Sequence, residues 1–336
     1  MELSKRLSEP DRPFFSDNLV SNETSYLHVA DGLETLAEPG GAYIGVGPEQ
    51  TFSYLALLKP KLAFVVDLRR ENLVLHLLYK ALFQEATSRS HFLTLLVGRP
   101  YDEASQPGPA ASASEVIRHA EKRPPSEEVH ASTHERLVRI VEESLGGRLD
   151  PSDAKRLATA HRAFFDGQLD LAFALKEKNG RAYPKLRELL VATDRSGRSR
   201  SFLATEGAFR FVATMQKENR VVPVVGDLAG SHALPSIAVA LRERGLLVNA
   251  LYVSNVEQYL FAGDAFARWT KNVASLPTNG KSLILRAYLD QGKRHPLEVD
   301  PHRTVSLLQR TNAFLERGSK KPYASFWELA NAPGAE

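Results

Sequence analysis

Two glycines and an acid stand at spacings that could serve a nucleoside. In "GAYIGVGPEQTFSYLALLKPKLAFVVDLRREN", residues 41–72, Gly45 and Gly47 close a short apolar run, and Asp67 closes the next one 22 positions after Gly45. Glycine permits positive φ and close approach of backbone to a ligand, and Pro48 suits a first helical position because it needs no amide partner there. A carboxylate at the end of the second strand of such a unit can accept the hydroxyls of a ribose. The same letters also describe a strand, a helix start and a turn with no ligand at all, so the pattern needs support from elsewhere in the chain.

The choice among ribose-bearing cofactors turns on charge. A dinucleotide fingerprint would place a third glycine three residues after Gly47, where Gln50 stands. Glu49 falls at the helix start, a position that favours anions only when no carboxylate competes. Both features oppose the pyrophosphate of NAD or FAD. S-adenosylmethionine has no phosphate, and its positive charges could use Glu49. An NADP 2'-phosphate could be met by Arg69 and Arg70, but Asp67 would oppose it.

A second group of reactive side chains follows a later apolar run. "YVSNVEQYLF" sets Ser254, Asn255, Glu257, Gln258 and Tyr259 at the edge where an α/β sheet presents its ligands. Asn255 could hold an amine or hydroxyl, and Glu257 or Tyr259 could act as a base if burial shifts its pKa. Capping of the next helix by Ser254 or Asn255 is the structural alternative. Near the start of the chain, "SDNLVSNETSY" gathers Asp17, Asn18, Asn22, Glu23 and Tyr26 beside apolar neighbours.

Several chemistries find no motif. The ten histidines show no H-E-x-x-H spacing, so no metal site is expected, and neither G-x-S-x-G nor G-x-x-x-x-G-K-[ST] occurs. With no cysteine in 336 residues, disulfides, thiolate metal sites and cysteine nucleophiles are excluded. A net charge of +3 with interspersed signs argues against nucleic acid as a partner and leaves a small-molecule cofactor as the expected one. No apolar span of membrane length occurs, and "MELSKRLSEPDRPFF" lacks a signal core, which points to a cytoplasmic protein with no membrane partner. If the chain was trimmed ahead of Met1, secretion stays open.

These side chains need a sheet to hold them. Apolar runs at 42–46, 62–67, 221–226, 246–253 and 282–288, bounded by turn residues, read as buried strands, with helical patterns such as "EQTFSYLALL" and "HALPSIAVALRERG" between them. That alternation predicts an α/β fold with a doubly wound, mostly parallel, Rossmann-like sheet. Residues 1–40 read as an N-terminal helical segment over the core and 41–98 as its first half. Residues 99–132, rich in Pro, Ala, Ser and charge, read as a flexible loop. Apolar residues at three and four spacing over 133–220 predict a helical insertion, 221–290 the second half of the core, and 291–336 a C-terminal helical segment in which "RTVSLLQRTNAFLERG" is one helix.

The arrangement resembles class I S-adenosylmethionine-dependent methyltransferases. "YIGVG" is similar to their first-strand glycine motif, "FVVD" to the strand with the ribose acid, and "VVGD" to the third strand with an acid near the adenine. More narrowly, "DNLVSNETSYLHV", "PVVGDLAG" and "LYVSNVEQYLF" resemble a family of uncharacterised bacterial proteins with this core. The resemblance implies S-adenosylmethionine as cofactor, held by Gly45, Gly47, Glu49, Asp67, Asp227 and Ser254 under an N-terminal segment carrying Asn22 and Glu23. It also implies a methyl group facing Asn255, Glu257 and Tyr259, with a small or medium-sized acceptor. Two departures are visible: the first acid and the third glycine of the usual motif are replaced by Tyr43 and Glu49. A non-catalytic binding or scaffolding module of the same fold, and an NADP-dependent enzyme, are the other readings.

Overall fold

The computed structural model describes residues 2–14, 19–173, 183–290 and 292–332. All five apolar runs are strands: β1 (Gly40–Gly45), β2 (Pro60–Asp67), β3 (Val221–Val225), β4 (Val248–Tyr252) and β5 (Leu283–Leu289). They are parallel, with Ile44 opposite both Phe64 and Leu251. Their near-continuous apolar character follows from burial on both faces, which is the condition of parallel strands between helical layers.

A sixth strand, β6 (Thr304–Arg310), pairs antiparallel with β5 and completes the order β3-β2-β1-β4-β5-β6. This corrects the expectation of one helix over "RTVSLLQRTNAFLERG" and of an entirely helical 291–336: strand gives way to the helix Thr311–Lys320 at Arg310. A short apolar run carries no decisive period of its own, so strand and helix merge in the sequence pattern. Pairing is fixed by partners far away in the chain. Arg286 of β5 donates to Gln309 of β6 at 2.7 Å and to Glu257 at 2.6 Å, with Trp269 Nε1 donating to the same carboxylate at 3.1 Å.

The strand order places a reversal between β1 and β4. The chain winds outward from β1 through β2 to β3, then returns to the other side of β1 and winds outward again. Loops after β1 and β4 therefore leave in opposite directions and open a crevice above the carboxyl ends of the strands. The helix Gln50–Leu58 leads away from β1, and Ala233–Glu243, with Leu234, Ile237, Ala238 and Leu241 buried, connects β3 to β4.

Between β2 and β3 lie helices Arg70–Glu85, Arg89–Val97, Ala113–Ala120, Glu127–Leu145, Pro151–Gly167, Leu186–Leu190 and Glu206–Lys217. The expected loop at 99–132 thus contains one complete helix and the start of another. Ser112 and Glu115 form a reciprocal capping box, Ser126 caps the next helix, and the buried Arg89 guanidinium donates to Ala111 O at 2.8 Å and Pro109 O at 3.1 Å. Alanine in "AASASEVIRHA" is a strong helix former, and the capping serine outweighs the flanking prolines.

Residues 2–14 begin with the helix Glu2–Leu7 and continue as a stretch outside helix and strand, and residues 19–36 contain a turn at Tyr26–Val29 and the helix Ala30–Leu36. That first stretch is stitched to the sheet: Glu9 N donates to Val225 O, Val225 N to Ser8 Oγ, and Arg12 N to Leu68 O, at 3.0, 3.1 and 3.0 Å. Among the described residues, no helix is long and apolar enough to cross a membrane.

Candidate functional site

A cavity of about 810 Å³ opens above the carboxyl ends of all five parallel strands. Each strand delivers residues to it: Val46 and Gly47 from β1, Asp67 from β2, Gly226 and Asp227 from β3, Tyr252 and Ser254 from β4, and Leu289 and Asp290 from β5. Asn22 and Glu23 form part of its wall, while Phe14, Phe173, Tyr183 and Tyr259 bring aromatic rings from four places in the chain. Sequence reasoning missed Phe14, Phe173, Tyr183 and Arg303, because nothing local marks a contact made across so many residues. Asp290 could have been found by asking which polar residue follows the fifth strand.

The glycine turn is built for approach. Gly47 has φ of +78°, with nothing within 4 Å of the position a Cβ would take, so backbone angle alone demands glycine there. His76 Nε2 lies 2.9 Å from Gly47 O and pins the turn from below. Burial lowers the His76 pKa to about 4, so the ring is neutral and carries its proton on the nitrogen that donates. Gly45 is absent from the cavity wall. A Cβ at Gly45 would meet the Tyr43 ring at 2.3 to 2.6 Å, so this glycine makes room for a core tyrosine rather than a ligand.

Glu49 also departs from expectation. Its carboxyl is buried behind the turn, where Oε1 accepts from Ser21 N at 3.2 Å and Oε2 has no hydrogen-bond partner. Desolvation pushes its pKa up to about 7. It therefore faces the N-terminal segment and not the cavity.

Asp67 reaches the cavity already engaged. Its Oδ1 accepts from Arg69 N and Nε at 3.0 Å each, and Oδ2 accepts from Arg69 Nη2 at 3.0 Å. A carboxylate offers about four lone pairs, so one hydroxyl can still be accepted at Oδ2 while a second requires Arg69 to shift. Arg70 turns the other way and holds Asp153 through bonds of 3.1, 3.2 and 2.6 Å. Asp227 accepts from Ala229 N at 2.8 Å and from Arg12 Nη1 at 3.2 Å, and its own N–H donates to Glu9 at 2.6 Å.

At the β4 end the backbone is strained. Ser254 has φ of +52°, unusual for a residue with a side chain. Its Oγ donates to Glu23 Oε1, and its carbonyl accepts from Ala287 N at 2.7 Å, which together hold the bend. Glu23 is 1% exposed. It accepts further bonds from Tyr252 Oη at 2.7 Å and Gln50 Nε2 at 3.0 Å, and burial raises its pKa.

The residues expected to do chemistry divide sharply. Asn255, Gln258 and Tyr259 line the cavity, and Asn255 Nδ2 lies 3.4 Å from Tyr259 Oη. Tyr259 is 42% exposed and meets the Phe14 ring edge-on at 5.6 Å. Partial burial raises its pKa, so its hydroxyl stays protonated near neutral pH. Glu257 is turned away from the cavity into the core, where its ion pair with Arg286 has both side chains 0% exposed. It is a fastening between elements and not a general base. Asp17 and Asn18 lie outside the described residues. Among the described residues, no group of three or more His, Asp or Glu is arranged to hold a metal ion.

A family model described as a domain of unknown function, DUF7790, matches residues 19–325, and the chain belongs to that family. No curated protein matches it. Among solved structures it is similar to the rRNA methyltransferase aviRa from Streptomyces viridochromogenes, with a TM-score of 0.34 and 13% identity over 87% of this chain and 86% of that one.

Proposed function

We propose that this member of the DUF7790 family has a Rossmann-like, methyltransferase-like core and binds S-adenosylmethionine in the crevice between β1 and β4. The observation that carries the reading is the position of the 810 Å³ cavity. It lies at the reversal of strand order, with the open Gly47 turn at the end of β1 and the Asp67 carboxylate at the end of β2. That volume suits a nucleoside cofactor together with a second small molecule.

When bound, S-adenosylmethionine supplies an electrophilic methyl group on a sulfonium. The chain's own contribution is position. Gly47 admits the ligand against bare backbone, Asp67 accepts a ribose hydroxyl, Asp227 lies where adenine would be recognised, and Ser254 marks the reacting end. A small or medium-sized acceptor would lie among Asn255, Gln258, Tyr259, Phe173 and Tyr183, which share the cavity wall. Asn255 can orient an amine or hydroxyl, and the aromatic rings exclude water from the transfer. Glu257 takes no part, so an acceptor that must lose a proton would pass it to another group or to water.

A second reading, a non-catalytic binding module, is favoured by the bidentate hold of Arg69 on Asp67. An NADP enzyme is weaker, because Arg69 and Arg70 are both committed to carboxylates that a 2'-phosphate would have to displace. Isothermal titration with S-adenosylmethionine, S-adenosylhomocysteine and NADPH separates these readings. Micromolar binding of the first two, abolished in Asp67→Ala, supports the cofactor site. Silence toward all three from folded protein supports the module, and binding of NADPH alone supports the third.

A further inference from the structure

Four acids line the cavity, and three of them face an arginine. Asp67 is paired with Arg69 at 3.0 Å, Asp227 with Arg12 at 3.2 Å and Asp290 with Arg303 at 3.5 Å. Glu23 is the exception among the described residues: it is held by Tyr252, Ser254 and Gln50, all neutral donors. A buried carboxylate without a cation is costly, and neutral hydrogen bonds recover only part of that cost.

Its surroundings make the deficit larger. Ser21 connects Glu23 to the second buried acid, since Glu23 N donates to Ser21 Oγ at 3.2 Å, Ser21 Oγ donates to Gln50, and Ser21 N donates to Glu49. The groups that face this pair are Tyr26 from the N-terminal segment, Tyr43 from β1, Gln50 and Tyr54 from Gln50–Leu58, Tyr79 from Arg70–Glu85, and Tyr252 with Ser254 from β4. Burial raises the pKa of each of those tyrosines, so all stay neutral at pH 7. A negative charge on Glu23 adds to the burial that already raises the Glu49 pKa, which disfavours two negative charges at once.

We propose that Glu23 is the anchor for an ammonium group on the bound ligand, and that arrival of this cation releases a proton from the Glu23–Glu49 network. The inference rests on the S-adenosylmethionine reading, in which the ammonium belongs to the methionine portion. No covalent bond other than O–H changes: a carboxyl proton passes to solvent, and ligand N–H groups donate to the carboxylate left behind. The site then prefers ligands that carry an amine over those that present only adenosine. Glu23 comes from the N-terminal segment, so this charge is supplied by a different element from the strand end that carries the glycine turn.

The test compares S-adenosylhomocysteine with its deaminated analogue 5'-S-(3-carboxypropyl)-5'-thioadenosine, which keeps adenine, ribose, sulfur and carboxylate but has no ammonium. In the full-length protein the first should bind about tenfold or more tightly, the size expected of one charge-assisted hydrogen bond. In Glu23→Gln, shown to be folded by circular dichroism and its melting transition, that advantage should shrink to within about threefold. Titrations in buffers of different ionisation enthalpy should report proton release on binding by the wild type and none by Glu23→Gln. Equal affinity of the wild type for both ligands, or an advantage that survives in Glu23→Gln, would overturn the inference while leaving the nucleoside site standing. Binding of neither ligand by folded wild-type protein would remove both. The comparison on the wild type needs no variant, so it decides even if Glu23→Gln misfolds.

Discussion

Gly47 and Glu49 stand two positions apart and do opposite work. Gly47 leaves its backbone open to the cavity, and its angle of +78° makes any replacement with a β-branched residue strained. Gly47→Val is expected to cost about 1–3 kcal/mol of stability and to abolish S-adenosylhomocysteine binding by calorimetry. Glu49 carries strain of another kind. Its folded pKa of about 7 exceeds the unfolded value near 4.5, so its contribution to stability is fully present below pH 4.5 and lost as pH rises through 7. Glu49→Gln should therefore be more stable than the wild type at pH 8, by on the order of 3 kcal/mol, and melt correspondingly higher, with the gain vanishing near pH 4.5. A melting-temperature difference that does not depend on pH would contradict the assignment. Little of this was legible in the letters. "GVGPE" announces a turn and a helix start, but whether the acid faces ligand or core depends on Ser21, which lies 28 residues earlier.

At the scale of elements, strands were readable because parallel strands covered on both faces must be apolar throughout. Helix phase was not readable in Glu257–Leu260, which is four residues long: Glu257 turns inward while Gln258 and Tyr259 turn to the cavity. The inward acid fastens the second half of the sheet. Removing it alone, as in Glu257→Ala, leaves Arg286 buried without its anion and should destabilise by about 3–5 kcal/mol in chemical denaturation. A paired replacement, Glu257→Leu with Arg286→Met, should recover most of that loss; failure to recover would mean that Gln309 and Trp269 hold β6 through more than this charge pair. The N-terminal stretch is an element only in three dimensions. It crosses from β3, where Ser8 and Glu9 are bonded, to Tyr259 beyond β4, where Phe14 packs. Deleting residues 2–14 removes Arg12 from Asp227 and one ring from the cavity mouth, and should weaken S-adenosylhomocysteine binding at least tenfold without preventing folding; unchanged affinity would place this stretch outside the site.

For the whole molecule, the buried titratable groups pull in two directions. His76 and His161 have pKa values lowered to about 4 and about 3 by burial, so the unfolded chain binds protons that the folded one refuses, and stability falls as pH drops from 6.5 toward those values. The raised pKa of Glu49 takes stability away as pH rises from 4.5 to 7. Below neutrality the two refused histidine protons outweigh the one that Glu49 retains, so melting temperature by calorimetry should peak at about pH 6.5 to 7.5; a peak below about pH 5 would show that these groups do not control the profile. The central claim, however, concerns the crevice at the strand reversal, and a crystal structure of the chain with S-adenosylhomocysteine tests it most directly. The account predicts a ribose hydroxyl within hydrogen-bonding reach of Asp67, beside the Gly47 turn, with the amine toward Glu23. An adenosyl group seated elsewhere, or a crevice left empty at saturating ligand with Arg69 still closed on Asp67, would contradict it.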